Sequence, residues 1–289
     1  MAEQRRVLLM QYTALKCRQN VLRMIRASGH GHVGGALSAI DIVTALYFDH
    51  MRLTPQDPQW PQRDRFLLSA GHKCLAQYAA LAERGYIDKS VLDTYGALNS
   101  KIPGHPDMHK LPGVEANTGA LGHGLSIAAG MAMGAKLDKT GYRVFAICGD
   151  GELAEGSNWE AVSAAAKFNL DNLVVFIDNN GLQISGPVSD VMPLGPITNK
   201  FQDFGWSVFE IDGNNMEQIL DTLDSLPYGC GKPMMILSHT VKAKGLSFGE
   251  NQVEYHFWNA TPEQLSQADA ELAAQLTVLE KELEASDGR

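Results

Sequence analysis

The sequence of 289 residues has no long apolar segment and no excess of positive charge. No apolar run approaches the roughly 18 residues that a membrane-spanning helix requires, and the N-terminus lacks the apolar core of a signal peptide. With 24 basic against 33 acidic residues, the formal charge of −9 argues against broad contact with nucleic-acid phosphates. These absences predict a cytoplasmic protein that binds neither nucleic acid nor membrane.

Cysteines are also scarce, and low-complexity stretches, internal repeats and Ser- or Pro-rich linkers are missing. Cys17, Cys74, Cys148 and Cys230 form no Cys-x-x-Cys pair, which favours reduced core thiols over a disulfide framework or a zinc site. Hydrophobic residues make up 45% and charged residues 20%, as in an ordinary globular chain. The absence of a linker favours one domain over residues 1–289.

The hydrophobic pattern changes its period along the chain. Helical spacing predicts a first helix over Val7–Ile25, a second that begins at Ser38, and a buried glycine- and alanine-rich helix over 119–136. Short apolar strands then alternate with helices, and the predicted strands are Val144–Cys148, Leu173–Ile177, Val208–Ile211 and Met234–Ser238. This alternation predicts an α/β fold with a parallel sheet and helices on both faces.

A last helix is predicted at about residues 261–285. Thr261 is its cap, Pro262 its first residue, and Gln264 completes a capping box. Leucines follow at helical spacing up to Leu283. We expect this segment to be a docking helix.

One glycine motif is misleading. Gly29-His-Gly31-His-Val-Gly34 matches the G-x-G-x-x-G pattern of dinucleotide-binding proteins. That pattern has to follow a strand so that the next helix can hold a pyrophosphate, whereas here a helix precedes it. A Walker A loop is excluded as well, because Gly231-Lys232 is followed by Pro233.

Two polar clusters follow neighbouring predicted strands. Gly149-Asp150-Gly151 ends one strand, and Asn179-Asn180 comes just after the next. A right-handed crossover between them places Asp150 and Asn180 side by side at the sheet edge where ligands bind. A carboxylate beside an amide oxygen suits Mg²⁺, which also takes phosphate oxygens, and Gly151 leaves a backbone N–H open to a diphosphate.

Five segments, in order, resemble the thiamine-diphosphate motif and the N-terminal half of transketolases. They are Gly31-His32-Val-Gly34 with Asp41 following, Arg63-Asp-Arg-Phe-Leu-Leu-Ser-Ala-Gly71-His72, Pro103-Gly-His105-Pro, Thr118-Gly119-Ala-Leu121-Gly122, and the pair of polar clusters. The resemblance implies the diphosphate-binding (PP-type) domain of the thiamine-diphosphate fold. It covers most of the chain from residue 20 to about 256.

The resemblance also implies thiamine diphosphate and Mg²⁺, with Ca²⁺ or Mn²⁺ as substitutes, and assigns residues to them. Asp150, Asn180 and the backbone carbonyl of Leu182 would bind the metal. The diphosphate would be contacted by His72, Gly151 and Asn180. Leu121 and Ile184 would pack against the thiazolium, and the backbone of Gly119 would contact the aminopyrimidine. Glu155 would be a buried acid that supports an activating glutamate of a partner domain.

By the same resemblance His32, His105 and His256 line the substrate channel. Ketol transfer moves protons at several oxygens near neutral pH, and imidazole, with an ordinary pKa of about 6.5, suits that role. His50, His109 and His239 lie outside the matching segments, and we expect them to be structural.

The chain departs from the family pattern beside two histidines. Phe257-Trp258 follows His256, where the family usually has glycine. The bulky pair is expected to narrow or reshape the channel, or else Trp258 packs under the C-terminal helix. His123 stands where the family has glutamine or a related residue.

Length is the larger departure, because residues after Asn259 cannot encode the pyrimidine-binding domain of single-chain transketolases. The resemblance therefore implies a transketolase split over two chains, in which this one is the N-terminal subunit. With a C-terminal subunit, in an α2β2 assembly, it would transfer a two-carbon ketol unit from a ketose, phosphorylated by default, to an aldose. Residues Gly119–Gly134 are predicted to be an exposed contact surface.

Three alternatives remain open at this point. The α-type subunit of a 2-oxo acid dehydrogenase shares the two polar clusters, but it is not expected to carry the histidine segments. A deoxyxylulose-phosphate synthase fragment would consume pyruvate and release carbon dioxide. A non-catalytic cofactor-binding protein would have no use for several proton carriers around one site.

Overall fold

A computed structural model describes residues 2–287 of the chain. In chain order the elements are α1 (Ala2–Ser28), β1 (His30–Gly31), α2 (Val33–Ala45), β2 (Arg65–Leu68), α3 (Cys74–Arg84), α4 (Gly124–Leu137), β3 (Val144–Gly149), α5 (Gly156–Lys167), β4 (Leu173–Asn179), α6 (Val188–Val191), α7 (Ile197–Asp203), β5 (Ser207–Asp212), α8 (Met216–Asp224), β6 (Met234–His239), β7 (Trp258–Asn259) and α9 (Pro262–Asp287). Short 3₁₀ and π turns connect several of them.

Five strands form a parallel sheet in the order β2-β3-β4-β6-β5. All four predicted strands are present, and β3 and β4 are neighbours in register from Val144↔Leu173 to Gly149↔Asp178. Strand β2 was not predicted, because four residues are too few to establish a period. The predicted parallel sheet is confirmed.

Helices cover both faces of the sheet, as predicted. Along β3, Phe145 and Ile147 pack into a core with α1, α2, α3 and α8. Val144, Ala146 and Cys148 point the other way, into a core with α4, α5 and α7. Strand β3 is buried over its whole length, which explains its continuous apolar sequence.

Helix α2 begins at Val33, five residues before the predicted start at Ser38. Glycine is needed in its first turn, since a Cβ on Gly35 would come within 2.9 Å of the Lys73 side chain. Ser38 lies buried inside the helix, where its hydroxyl donates to Asp178 (2.6 Å) instead of capping. The capping prediction was wrong because this serine serves a contact with the sheet.

The Gly119–Gly134 segment is only partly exposed, which corrects the predicted contact surface. Leu125, Ala128 and Ala132 of α4 are buried in the core beneath it. Ser126 and Gly130 face outward. The segment therefore fills the core with one side, and only the other side is available to a partner.

A short antiparallel ribbon and α9 close the other side of the molecule. Strands β1 and β7 pair in the register His30↔Asn259 and Gly31↔Trp258. The predicted capping box forms, because Thr261 Oγ1 accepts from Gln264 N and Gln264 Oε1 accepts from Thr261 N, both at 3.2 Å. Helix α9 packs along α1, and Trp258 is buried beside it, with its Nε1 donating to Gln264 Oε1 (3.0 Å).

Three of the four cysteines are buried and all are free thiols; the exception to burial is Cys230, which lies in an exposed loop. The prediction of reduced core thiols therefore holds for Cys17, Cys74 and Cys148 only. None of the helices among residues 2–287 is long and apolar enough to cross a membrane.

At the edge opposite the carboxyl ends of the strands, a buried acid organises the strand starts. Asp64 accepts hydrogen bonds from the guanidinium groups of Arg52 (2.8 Å) and Arg143 (2.6 Å). Arg143 Nη1 also donates to Nε2 of His50 (2.9 Å). Burial, together with the charge of Arg143, lowers the pKa of His50 to about 4. His50 is therefore structural, as predicted.

Replacing His50 by glutamine should flatten the pH dependence of stability. Above about pH 6.5 this imidazole is neutral in the folded and unfolded chain. Below about pH 6.5 the unfolded chain binds a proton at this imidazole, whereas the folded chain binds it only at about pH 4. The free energy of unfolding therefore decreases as the pH is lowered from about 6.5 to about 4. Urea unfolding of the wild type at several pH values should show this decrease. In His50→Gln the slope of the free energy of unfolding against pH should be smaller, by an amount that corresponds to at most one bound proton.

The control is His109→Gln, because the side chain of His109 is exposed. It should keep the wild-type slope. Equal slopes in the wild type and His50→Gln would contradict the structural account of His50.

Candidate functional site

A cavity of about 420 Å³ opens at the carboxyl ends of β2, β3 and β4. It contains every residue that the sequence assigned to the site, with the exception of Glu155. Its lining is His32, Gly35, Ala70, His72, Lys73, His105, Gly119, Leu121, Gly149, Asp150, Gly151, Glu152, Asn180, Leu182, Gln183, Ile184, Ser185, Lys242 and His256.

The two polar clusters meet at the ends of β3 and β4. Asp150 accepts from the backbone N–H groups of Gly151 (2.8 Å) and Gly181 (2.7 Å), so its carboxylate joins the two loops. Burial, reinforced by the nearby Asp178, raises the pKa of Asp150. A carboxylate held in this state favours a neighbouring cation. Asp150 and Asn180 are adjacent as the sequence predicts.

Asp178, the second last residue of β4, is the centre of a buried network under the cavity. Its carboxylate accepts from Lys73, Ser38 and Thr240. The side chains of both Lys73 and Asp178 are almost completely shielded from solvent. Helix α2, the start of α3 and the loop after β6 are therefore tied to one strand end.

Four imidazoles gather above this floor. The ring centroid of His32 lies 5.5 Å from His72, 6.3 Å from His105 and 5.5 Å from His256. Burial and the nearby Lys73 lower the pKa of His72 to about 2, and burial and Lys242 lower that of His256 to about 4. Burial and His105 lower the pKa of His32 as well. Burial therefore favours the neutral form of these three rings.

Lys242 is a site residue that the sequence did not predict. Its Nζ donates to the backbone carbonyl of Leu182 (3.1 Å) and lies 3.3 Å from Nδ1 of His256. Burial, with the charge of Lys73, lowers the pKa of Lys242 to about 8. No motif marks this lysine in the sequence, because the contacts that bring it to the site come from folding.

Glu155 is exposed in this chain, and its predicted support of a glutamate on a partner domain stays a prediction. An acid that is buried within the chain itself is Glu152, which directly follows Gly151 and is only 3% exposed. It accepts from the hydroxyl of Ser69 and from the backbone N–H groups of Gly122 (3.0 Å) and Gly149 (3.1 Å). Glu152 thereby holds together the ends of β2 and β3 and the turn before α4.

Gly119 allows its turn to pass close to a histidine. Its φ of +142° lies in the region that disfavours side chains, and a Cβ there would come within 2.5 Å of the His105 ring. Ile184, on the loop after β4, is 71% exposed, and Leu121 is half-buried. Two loops therefore contribute apolar side chains to the lining of the cavity.

The donor chemistry fits a divalent cation and a diphosphate. Asp150, Asn180 and the Leu182 carbonyl offer hard oxygen atoms of the kind that Mg²⁺ and Ca²⁺ prefer. Among residues 2–287 no group of three or more His, Cys, Asp or Glu side chains is placed to bind a metal unaided. A cation here would need further oxygen ligands, and Lys242, whose hydrogen-bond partners are neutral, would be stabilised by an anion beside it. A diphosphate supplies both.

Comparison with known proteins identifies the family. Residues 11–274 match the family described as "Transketolase, thiamine diphosphate binding domain". The transketolase of Campylobacter jejuni has a similar structure, with a TM-score of 0.84 and 30% sequence identity, over 93% of this chain and 43% of that one. This chain therefore belongs to the transketolase family.

Curated relatives of similar length are named as transketolase subunits. One, from Phocaeicola vulgatus, is a subunit of an apulose-4-phosphate transketolase, and it is 44% identical over 92% of this chain and 95% of its own length. Another, from a Clostridium species, belongs to a 6-deoxy-6-sulfo-D-fructose transketolase and is 41% identical over 91% and 96%. The resemblance seen in the sequence, to the N-terminal subunit of a transketolase split over two chains, is confirmed.

Removing the buried acid should loosen the site. Glu152→Ala leaves the N–H groups of Gly122 and Gly149 and the hydroxyl of Ser69 without their acceptor. We expect a loss of about 2 to 4 kcal/mol in the free energy of unfolding, measured by urea denaturation. The matched control is Glu155→Ala, which should change stability by less than about 0.5 kcal/mol because Glu155 is exposed. Equal effects of the two substitutions would contradict the role given to Glu152.

Proposed function

We propose that this chain is the diphosphate-binding subunit of a transketolase that transfers a two-carbon ketol unit from a ketose to an aldose. The observation that carries this proposal is one cavity that combines oxygen donors, a buried lysine and four imidazoles. The oxygen donors suit a cation, and the imidazoles suit proton transfer at sugar hydroxyls. A site for binding alone would not require the second group.

Thiamine diphosphate, when bound, supplies the nucleophilic carbon and the electron sink for breaking a carbon–carbon bond. In our proposal Asp150, Asn180 and the Leu182 carbonyl hold Mg²⁺, for which Ca²⁺ or Mn²⁺ can substitute. The diphosphate contacts are His72, Gly151, Asn180 and, in addition to these residues of the motifs, Lys242. The ring contacts are Leu121, Ile184 and the backbone of Gly119.

The roles of His32, His105 and His256 follow from their positions around the cavity. Burial favours the neutral form of His32 and His256, the form that can take a proton from a substrate hydroxyl and return it to a forming alkoxide. His105 faces His32 from the loop that approaches Gly119. We assign all three to the substrate and its protons.

The loop after β4 supports the proposal of a second subunit. Ile184 and Met192 are apolar and 71% and 52% exposed, beside the cavity or on the segment that follows it. Apolar groups left open at a binding site are typical of a surface that another chain covers. We propose a C-terminal subunit with the pyrimidine-binding domain, in an α2β2 assembly, and Glu155 as a residue that faces it.

Relatives support a ketose with an anionic group as the substrate class. One is named for apulose-4-phosphate and another for 6-deoxy-6-sulfo-D-fructose, and both sugars carry an anion away from the ketol carbons. We propose a sugar phosphate for this chain. A cytoplasmic location remains a prediction of the sequence.

Cofactor affinity tests the metal assignment. Asp150→Ala removes the only carboxylate among the proposed metal ligands, so it should weaken Mg²⁺-dependent binding of thiamine diphosphate by at least about tenfold in calorimetric titration. Asp190→Ala, in the exposed helix α6, is the control and should bind as the wild type does. Wild-type affinity and Mg²⁺ dependence in Asp150→Ala would refute the assignment.

Reconstitution tests the split enzyme. The purified chain alone should not transfer a ketol unit from a ketose phosphate to an aldose phosphate, since its cavity is open where a partner is expected. Addition of a C-terminal transketolase subunit from the same source should restore transfer, measured by the appearance of the shortened aldose. Full activity of the lone chain would refute the need for a partner.

A further inference from the structure

Phe257 stands beside the cavity on the ribbon side. Its ring meets the edge of His32 at a centroid distance of 4.9 Å, with an interplanar angle of 82°. On the other side it stacks on His30 at 5.4 Å and 27°. The side chain is 41% exposed, and His30 is exposed as well. An aromatic pair that is open to solvent therefore adjoins a histidine of the cavity.

This position is held firmly. Strand β7 begins at Trp258, which pairs with Gly31, so Phe257 lies directly before the paired residues. Gln264 of α9 binds the segment on both sides of His256 and Phe257. Its Oε1 accepts from Nε1 of Trp258 (3.0 Å) and its Nε2 donates to Oη of Tyr255 (3.1 Å). Phe257 is therefore part of a fixed wall and not a loose loop residue.

The wall differs in chemistry from the cavity beside it. Inside, His32, His105 and His256 offer donors and acceptors to sugar hydroxyls. Phe257 has no polar atom, so a hydroxyl pressed against its ring loses its hydrogen bonds to water without replacement. Carbon-bound hydrogens lose nothing there and gain apolar contact.

We infer that Phe257, backed by His30, is a specificity-determining wall that limits the length of polyhydroxylated chain accepted beyond His32. The inference rests on the proposed function, since it concerns the substrate of the same site. Short ketoses, or ketoses whose distal carbons lack hydroxyls, should be preferred over long polyhydroxylated ones. Gln264 acts as a positioning residue for this wall.

Two uncharged ketoses test the wall in the complex with the partner subunit. Erythrulose and fructose differ by two hydroxylated carbons, and ribose 5-phosphate serves as the common acceptor. Phe257→Gly should raise the ratio of kcat/KM for fructose to that for erythrulose by about tenfold, mainly through a lower KM for fructose. Phe257→Leu, which keeps an apolar side chain, should change the ratio by less than about twofold.

The control is Phe168→Gly, because Phe168 is an exposed aromatic residue at the end of α5, away from the cavity. In Phe168→Gly the ratio of kcat/KM for fructose to that for erythrulose should equal the wild-type ratio. A misplaced His256 would lower kcat for both ketoses and leave the ratio unchanged. A ratio in Phe257→Gly within about twofold of the wild type would thus overturn the inference.

Direct binding separates this inference from the proposed function. Dissociation constants of fructose and erythrulose are measured on the same complexes by saturation-transfer NMR. If no ketose is turned over by the wild-type complex, the proposed function fails. The wall is then judged by affinity alone: a shift of the binding ratio toward fructose in Phe257→Gly supports it, and an unchanged ratio overturns it.

Discussion

The buried carboxylate of Asp178 is the interaction on which the site depends. It stands at the end of β4 and binds Lys73, the hydroxyl of Ser38 and that of Thr240. An unpaired charge at this depth would cost several kcal/mol, so the partners cannot leave independently. Because each partner belongs to a different segment, one carboxylate fixes the floor of the cavity. Asp178 also contacts both ligand-bearing loops, because its backbone carbonyl accepts from Asp150 N (3.3 Å) and its carboxylate from Asn180 Nδ2 (3.5 Å).

Electrostatics at the site follow from this arrangement. Lys73 is neutralised by Asp178, whereas Lys242 has only neutral hydrogen-bond partners and a pKa lowered to about 8. Burial, with a smaller effect of nearby lysines, favours the neutral form of His72 and His256. The protein alone therefore has a desolvated cation and neutral imidazole rings around an open space. An anionic ligand would relieve the desolvated charge, and this explains why the cavity suits a diphosphate.

The parts of the fold that were predictable are those with short-range signals. Apolar strands that end in Gly149-Asp150-Gly151 and Asn179-Asn180 predicted both the neighbouring strands and the adjacency of Asp150 to Asn180, because parallel connections follow a known handedness. Lys242 and Glu152 were not predicted, since their importance comes from contacts with distant segments. The start of α2 was misplaced because Ser38 binds Asp178 across the fold. Residues in motifs can thus be predicted from the sequence, whereas the side chains that support them cannot.

The central claim is that the ends of β3 and β4 hold a divalent cation against a diphosphate. A crystal grown with thiamine diphosphate and Mn²⁺ in place of Mg²⁺ tests it most directly, because Mn²⁺ gives an anomalous signal that locates it without assumptions. The account predicts one strong peak in contact with oxygen atoms of Asp150, Asn180 and Leu182, with the diphosphate beside Lys242 and His72. A peak elsewhere, or a diphosphate bound away from these strand ends, would contradict it.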